Sequence, residues 1–244
     1  MISTSSTRAT FISSVQSALS TYGLDGIGAL LEYPGAIERN APATDTPNLT
    51  AFFSQMRTAL PSAIISVAAP AGYWFLKGFE IDKIANSVTY INMMSYDYHG
   101  PWDTNVTDQA PVTNPHTSIL DMQTSALLYV RAGIDLSKGS LFSCVFEVLA
   151  ILQEGNNATL DSASETYWFD DQNGDLVTFD QADTWAAKQT FAKNTCFGGS
   201  FVWYAMTCGS PNHTTLTASP QVIGPGTVKR TARTHRFKSS ELAH

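Results

Sequence analysis

Three short apolar runs, each set off from the next by a segment of helical spacing, constrain this chain more than any other feature. The runs are residues 27–31 (IGALL), 63–69 (AIISVAA) and 88–96 (VTYINMMSY). Runs this short, bounded by Gly and Pro, suit strands of a parallel sheet better than helices. Between them, residues 7–22 place Phe11, Ile12, Val15, Ala18 and Leu19 at helical spacing, and Gly23 closes the segment as a C-cap does. Residues 46–60 repeat the pattern with Leu49, Phe52, Phe53, Met56 and Leu60, and Pro47 sits in the first turn. Short and long helices are predicted at 81–85 and 118–132, the latter stopped by Gly133. Strands alternating with helices at this pitch imply an α/β fold on a parallel sheet.

Past Lys138 the pattern changes. Residues 141–152 (LFSCVFEVLAIL) are apolar without a period. Residues 166–169 and 175–179 are predicted to pair as a hairpin through a turn at Asn173-Gly174. A helix over 181–193 and a last buried strand over 199–204 follow. From Ser210 to the end no hydrophobic period survives, and a disordered tail is predicted.

Composition narrows the function classes. Only 14% of the 244 residues are charged, well under the usual quarter, while Trp, Tyr and Phe are plentiful. Residues 1–209 hold nine Lys/Arg against twenty Asp/Glu, which disfavours a polyanionic partner. The basic residues Lys229, Arg230, Arg233, Arg236 and Lys238 lie in a tail whose single aromatic is Phe237, which is weak support for nucleic acid, so nucleic acid is not an expected partner. Neutral sugar polymers remain. Asn-x-Ser/Thr sequons at Asn48, Asn105, Asn157 and Asn212 suit an extracellular protein, although residues 1–18 are polar and lack a signal-peptide core. No apolar run is long enough for a membrane span. The three cysteines (Cys144, Cys196, Cys208) allow one internal disulfide at most, and no His/Cys spacing suits a metal; no cofactor is expected.

One segment carries chemistry. Residues 24–35 (LDGIGALLEYPG) read as a strand that delivers a single acid, Glu32, at its C-terminal end. In barrels of parallel strands that is where reactive groups stand. The segment resembles the active-site strand of family 18 glycoside hydrolases, the chitinases, with signature Asp-x-x-Asp-x-Asp-x-Glu. Asp25 and Glu32 match its ends, but Gly28 and Leu30 stand at the two central acids. Asp25 also reads as an ordinary turn residue. Further matches follow in order. Residues 63–69 look like the fifth barrel strand. Met94-Ser95-Tyr96-Asp97 looks like the sixth, leading into Tyr98-His99-Gly100-Pro101-Trp102-Asp103, and Gly198 to Trp203 looks like the eighth.

The resemblance implies an incomplete TIM (β/α)8 barrel over residues 1–209, with strands four to six and eight recognisable. Residues 138–150 are expected to replace the seventh strand, and the 166–179 hairpin to be a remnant of the family's α+β insertion lobe. An unclosed barrel leaves two sheet edges. Residues 210–244 form the basic tail.

Function follows from the same resemblance. In this family the substrate's own acetamido group is the nucleophile. Glu32 is then the general acid, Tyr96 the partner of the acetamido carbonyl, and Asp97 a substrate or supporting hydrogen bonder. Trp203 is expected to floor the sugar cleft, with Tyr33, Met94, Tyr98 and Trp102 lining it; Met94 also reads as plain core. Trp74 and Trp168 are weaker candidates. Leu30 cannot accept the hydrogen bond that holds the acetamido group, so hydrolysis is expected to be impaired. The expected partner is chitin or a chitooligosaccharide. The alternatives are a non-catalytic, lectin-like chitin binder, or a decayed fragment without a stable fold.

Overall fold

A computed structural model of the chain describes residues 1–100, 103, 114–143, 157–170, 175–202 and 237–238. In chain order the strands are β1 (Gly26–Leu30), β2 (Ile64–Pro70), β3 (Tyr90–Met94), β4 (Gly139–Ser143), β5 (Thr159–Asp161), β6 (Thr166–Asp170), β7 (Asp175–Phe179), β8 (Gly199–Val202) and β9 (Phe237–Lys238). The helices are α1 (Ser5–Tyr22), α2 (Asp45–Ala59), α3 (Tyr73–Leu76), α4 (Ile81–Ile84), α5 (Ile119–Arg131) and α6 (Ala182–Asn194). The chain divides into two units. One comprises Met1–Ser95, Gln123–Leu141 and Ala192–Phe201; the other comprises Tyr96–Met122, Phe142–Phe191 and Val202–His244.

The first unit carries a five-stranded sheet in the order β1-β2-β3-β4-β8. The β1–β2, β2–β3 and β3–β4 pairs are parallel, aligning Ala29 with Val67, Ala69 with Met93, and Met93 with Leu141. Period-two alternation is visible in burial. Ile65, Val67, Ala69, Ile91 and Met93 are sealed from solvent, whereas Ser66, Ala68, Asn92 and Ser140 are half-buried. The strands are therefore not equally covered on both faces. The second face carries short and polar side chains, linked where the Ser140 hydroxyl meets Asn92 Oδ1 at 2.6 Å.

The seventh strand, expected to be missing, is present as β4. Its sequence Gly-Ser-Leu-Phe-Ser shows no pattern because Leu141 is its one described side chain sealed in the core. Backbone geometry supplies what the pattern lacks. The amide of Gly198, just before β8, donates to Leu136 O at 3.1 Å and Gly139 O at 2.8 Å. A Cβ on Gly198 would stand 2.0 Å from Ser137 O, so only glycine permits this approach. Residues 144–156, with most of the aperiodic apolar run, lie outside the described residues. β1 and β8 end the sheet, and among the described residues nothing joins them. The sheet is an arc of an incomplete barrel, as the sequence predicted.

The helices begin and end where their caps dictate. Thr4 and Thr7 form a reciprocal capping box at the start of α1, and Gly23 closes it in the left-handed region at φ 62°. Helix α2 buries Leu49, Phe52, Phe53 and Met56, with Phe52 against Phe11 of α1 at 5.7 Å between ring centres. Arg57, near the end of α2, ties three segments together. Its guanidinium donates to the carbonyls of Ser87 (2.9 Å), Leu60 and Pro61 (each 3.2 Å) and Ala63 (2.8 Å), and to Thr89 Oγ1 (2.9 Å). Those segments lead into β2 and β3. Truncating Arg57 to Met leaves carbonyls unpaired in part-buried surroundings. A loss of about 1.5–3 kcal/mol is expected, read as a lower midpoint in urea unfolding.

The second unit carries an antiparallel sheet in the order β5-β6-β7-β9. The predicted hairpin is its centre, with Tyr167 opposite Phe179 and Phe169 opposite Val177. Its predicted turn at Asn173-Gly174 lies outside the described residues. Phe169, Val177 and Phe179 form the core of this sheet, with Ala158 and Tyr167 packed on it. Strand β5 was not anticipated. Of the region read as a disordered tail, Phe237–Lys238 is described and pairs with the start of β7.

Behind that sheet's last residue lies a buried ion pair. Lys188 Nζ contacts Asp180 Oδ1 and also donates to Thr117 Oγ1 at 3.2 Å. The Asp180 carboxylate further accepts from Thr184 (2.9 Å) and Thr117 (3.2 Å). Burial pushes the Asp180 carboxyl up, against the downward pull of Lys188 and the two hydroxyls.

Candidate active site

Strand β1 sorts its side chains by parity. Gly28, Leu30 and, two residues on, Glu32 are exposed, while Ile27, Ala29 and Leu31 are half-buried. The acid and both positions that lack one therefore share a side of the chain. Leu30 is 51% exposed, so it does not enclose Glu32 in an apolar pocket. A cavity of about 220 Å³ lies along β1 and α2, lined by Phe11, Phe52, Phe53, Met56 and Val67 among others. Its walls offer no polar side chain to grip a sugar.

Past Glu32 the chain is held tightly. The Glu32–Tyr33 peptide bond is cis, and Pro34 is buried. Gly35 stands at φ 68°, a conformation only glycine adopts freely. A Cβ on Gly78 would meet Pro34 O at 2.1 Å, and the Gly78 carbonyl accepts from Thr46 Oγ1 at 2.7 Å. The Tyr33 ring stacks on Phe75 with centres 4.0 Å apart and planes inclined by 19°. Arg39 sits over the Tyr33 ring at 6.0 Å.

Beside Arg39, in the short turn Ile37–Arg39, Glu38 takes the indole N–H of Trp74. Lys77 Nζ lies 3.4 Å from the centre of the Trp74 ring. Glu38's own backbone amide, and then the Trp74 indole, hold its carboxyl below the usual range. Residues 36 apart in sequence thus make a pinned aromatic group next to the Tyr33–Phe75 stack. Sequence reading had Trp74 only as a weak candidate and missed Glu38 and Lys77.

In the second unit, Tyr96 is half-buried and Asp97 adopts φ 55°, a left-handed conformation that aspartate tolerates. Asp97 Oδ1 lies 3.7 Å from Nδ1 of the buried His116, and the Tyr98 amide donates to the His116 carbonyl at 3.2 Å. His116 was not singled out, having no neighbouring motif in sequence. His99 bridges two carboxylates, with Nδ1 2.9 Å from Asp103 Oδ2 and Nε2 3.1 Å from Asp121 Oδ2. Burial pulls the His99 pKa down, but the two carboxylates outweigh it and hold it above its ordinary value of 6.5.

A raised imidazole pKa contributes stability that is complete below the unfolded pKa and is lost as pH rises through the folded one. Heating scans are expected to show the melting temperature of wild type falling above about pH 6.5 more steeply than that of His99→Asn. Parallel profiles for the two proteins would show that the bridge adds no protonated-state stability.

Of the remaining predicted positions, Met94 is buried at the end of β3, aligned with Pro70. Trp102 and Trp203 lie outside the described residues. Cys196 is a free, exposed thiol, and Cys144 and Cys208 are not described. Among the described residues no helix is long and apolar enough to cross a membrane, and no cluster of three His, Cys, Asp or Glu is placed to hold a metal.

Comparison with known proteins agrees with the fold. The sequence is 25% identical over 267 residues to Chitinase 1 of Aphanocladium album, covering 91% of this chain and 61% of that one. The chain thus spans less than two thirds of that relative's length. The fold is shared with chitinase-like agglutinin RobpsCRA from Robinia pseudoacacia, at a TM-score of 0.71 and 19% identity, over 83% of this chain and 69% of the other. It is shared too with a class V chitinase mutant from Nicotiana tobaccum in complex with NAG4, at 0.70 and 16% identity, over 84% and 70%. Residues 1–206 match the family model of glycosyl hydrolases family 18, and the chain belongs to that family.

Proposed function

We propose that this chain binds β-1,4-linked N-acetylglucosamine oligomers at the C-terminal end of its parallel sheet and hydrolyses them poorly. The observation that carries this reading is the shared exposed side of Gly28, Leu30 and Glu32, which bears one carboxylate where the family pattern has three. Glu32 is the proton donor to the glycosidic oxygen. As that bond breaks, the acetamido carbonyl oxygen of the sugar attacks its own anomeric carbon, giving an oxazolinium ion that water then opens. An acid two residues before Glu32 would orient the acetamido N–H and offset the positive charge. Leu30 can do neither. Tyr96 steadies the acetamido carbonyl, Asp97 supports it, and Trp203, with Tyr33, Met94, Tyr98 and Trp102, lines the sugar path.

A binding role is further supported by the fold shared with a chitinase-like agglutinin and with a chitinase mutant solved with NAG4. An extracellular setting fits, since a secreted chitinase is among the relatives. The test is retention on chitin beads, run beside product analysis after incubation with chitohexaose. Wild type and Glu32→Gln are expected to be retained alike, Trp203→Ala to be retained less, and wild type to release little product. Folded wild type that passes through the beads and leaves chitohexaose intact overturns the reading.

A further inference from the structure

We propose that Trp74 forms an outlying stacking subsite for a β-linked pyranoside chain that has one of its glycosidic bonds at Glu32. This rests on the reading of the chain as a binder of N-acetylglucosamine oligomers. Trp74 is 62% exposed, an unusual position for a large aromatic side chain whose polar atom is already satisfied. Its indole N–H is engaged by Glu38 and one face of its ring is covered by the Lys77 ammonium. The ring is therefore held by two partners while most of the side chain stays open to solvent. A loose surface Trp loses rotamer freedom when it binds, and a pinned one has already lost it.

Position gives the occupant. α3 follows the C-terminal end of β2, and Tyr33 follows the C-terminal end of β1 by three residues. The two strands are parallel, so both segments leave the sheet at the end where Glu32 stands. The link is direct: Tyr33, bonded to Glu32, stacks on Phe75, bonded to Trp74. Adjacent residues of the turn Ile37–Arg39 clamp both rings, Glu38 on Trp74 and Arg39 on Tyr33. Exposed Tyr73 flanks the platform. A β-linked pyranose in its chair form presents a face of axial C–H groups, which suits an open aromatic ring, and its equatorial hydroxyls suit the acceptor Glu38 at the ring's edge. A polyanion would meet Glu38, and a membrane surface would require a larger apolar patch than these rings supply.

The experiment titrates the full chain with N-acetylglucosamine di-, tetra- and hexasaccharides. Affinity is read by calorimetry, and the indole N–H resonances are followed by NMR, with that of Trp74 assigned from Trp74→Phe. The Trp74 resonance is expected to shift with the hexasaccharide. Trp74→Ala is expected to bind the hexasaccharide about 3- to 10-fold more weakly, with a smaller loss for the disaccharide, and Trp74→Phe to stay within about 2-fold of wild type. A hexasaccharide affinity unchanged by Trp74→Ala, or a Trp74 resonance that stays fixed while wild type binds, overturns the subsite and leaves the proposed function standing. Wild type that binds none of the three overturns both. Should Trp74→Ala fail to fold, the resonance shift in wild type decides alone.

Discussion

Replacing Leu30 with Asp, together with Gly28 with Asp, is expected to raise hydrolysis of chitotetraose by about 10²- to 10⁴-fold over the unaltered chain. The range is what orientation and charge stabilisation at a reacting centre contribute when a single group supplies them. Structure makes the substitutions tolerable. Leu30 is already half in solvent, so a carboxylate there loses little hydration. A Cβ at Gly28 would meet Ser66 Oγ at 3.0 Å, and a hydroxyl can rotate aside. Most of the gain is expected from Leu30→Asp alone, since that side chain stands two residues before Glu32. Adding Glu32→Gln to the double variant should return activity to background. A double variant no faster than this triple control would mean that the remaining scaffold lacks more than the two acids.

The largest loss of stability is expected at Lys188. Lys188→Met leaves the fully buried Asp180 carboxylate with hydroxyl donors but no counter-charge. Breaking such a pair costs about 3–5 kcal/mol, enough to remove much of a small domain's margin. The Asp180→Asn, Lys188→Met double variant should recover much of that loss, because an amide next to Thr117 and Thr184 is neutral and can still be hydrogen-bonded. Denaturant unfolding of the four proteins gives the coupling. A single substitution that costs under about 1 kcal/mol would mean that water reaches Asp180 and the pair is not sealed.

The parallel sheet was legible because β2 and β3 are short, strongly apolar runs between helices whose apolar faces repeat properly, and because Gly23 and Gly133 stop two of those helices. β4 and β5 were not. Leu141 and Leu160 are the only aliphatic side chains in their strands, so register against a neighbour, rather than any local preference, makes them strands. At the site, Glu32 could be read because its acid closes an otherwise apolar strand. The Trp74–Glu38–Lys77 group could not, since Glu38 reaches Trp74 only once β1 and β2 are paired and the turns after them converge. Asp97 beside His116 is likewise a product of folding, since the sequence of residues 98–115 between them carries no periodic signal.

The turn after Glu32 has a consequence for anyone mapping this protein by random substitution. A methyl group added at Gly78 would collide with the Pro34 carbonyl, and the one residue between Pro34 and Glu32, Tyr33, gives little slack to absorb the shift. Gly78 touches no sugar in the proposed reading, yet changing it moves the acid. In a screen for lost carbohydrate recognition Gly78 will score beside Glu32 itself, and a map drawn from such scores will place the binding surface one layer too deep.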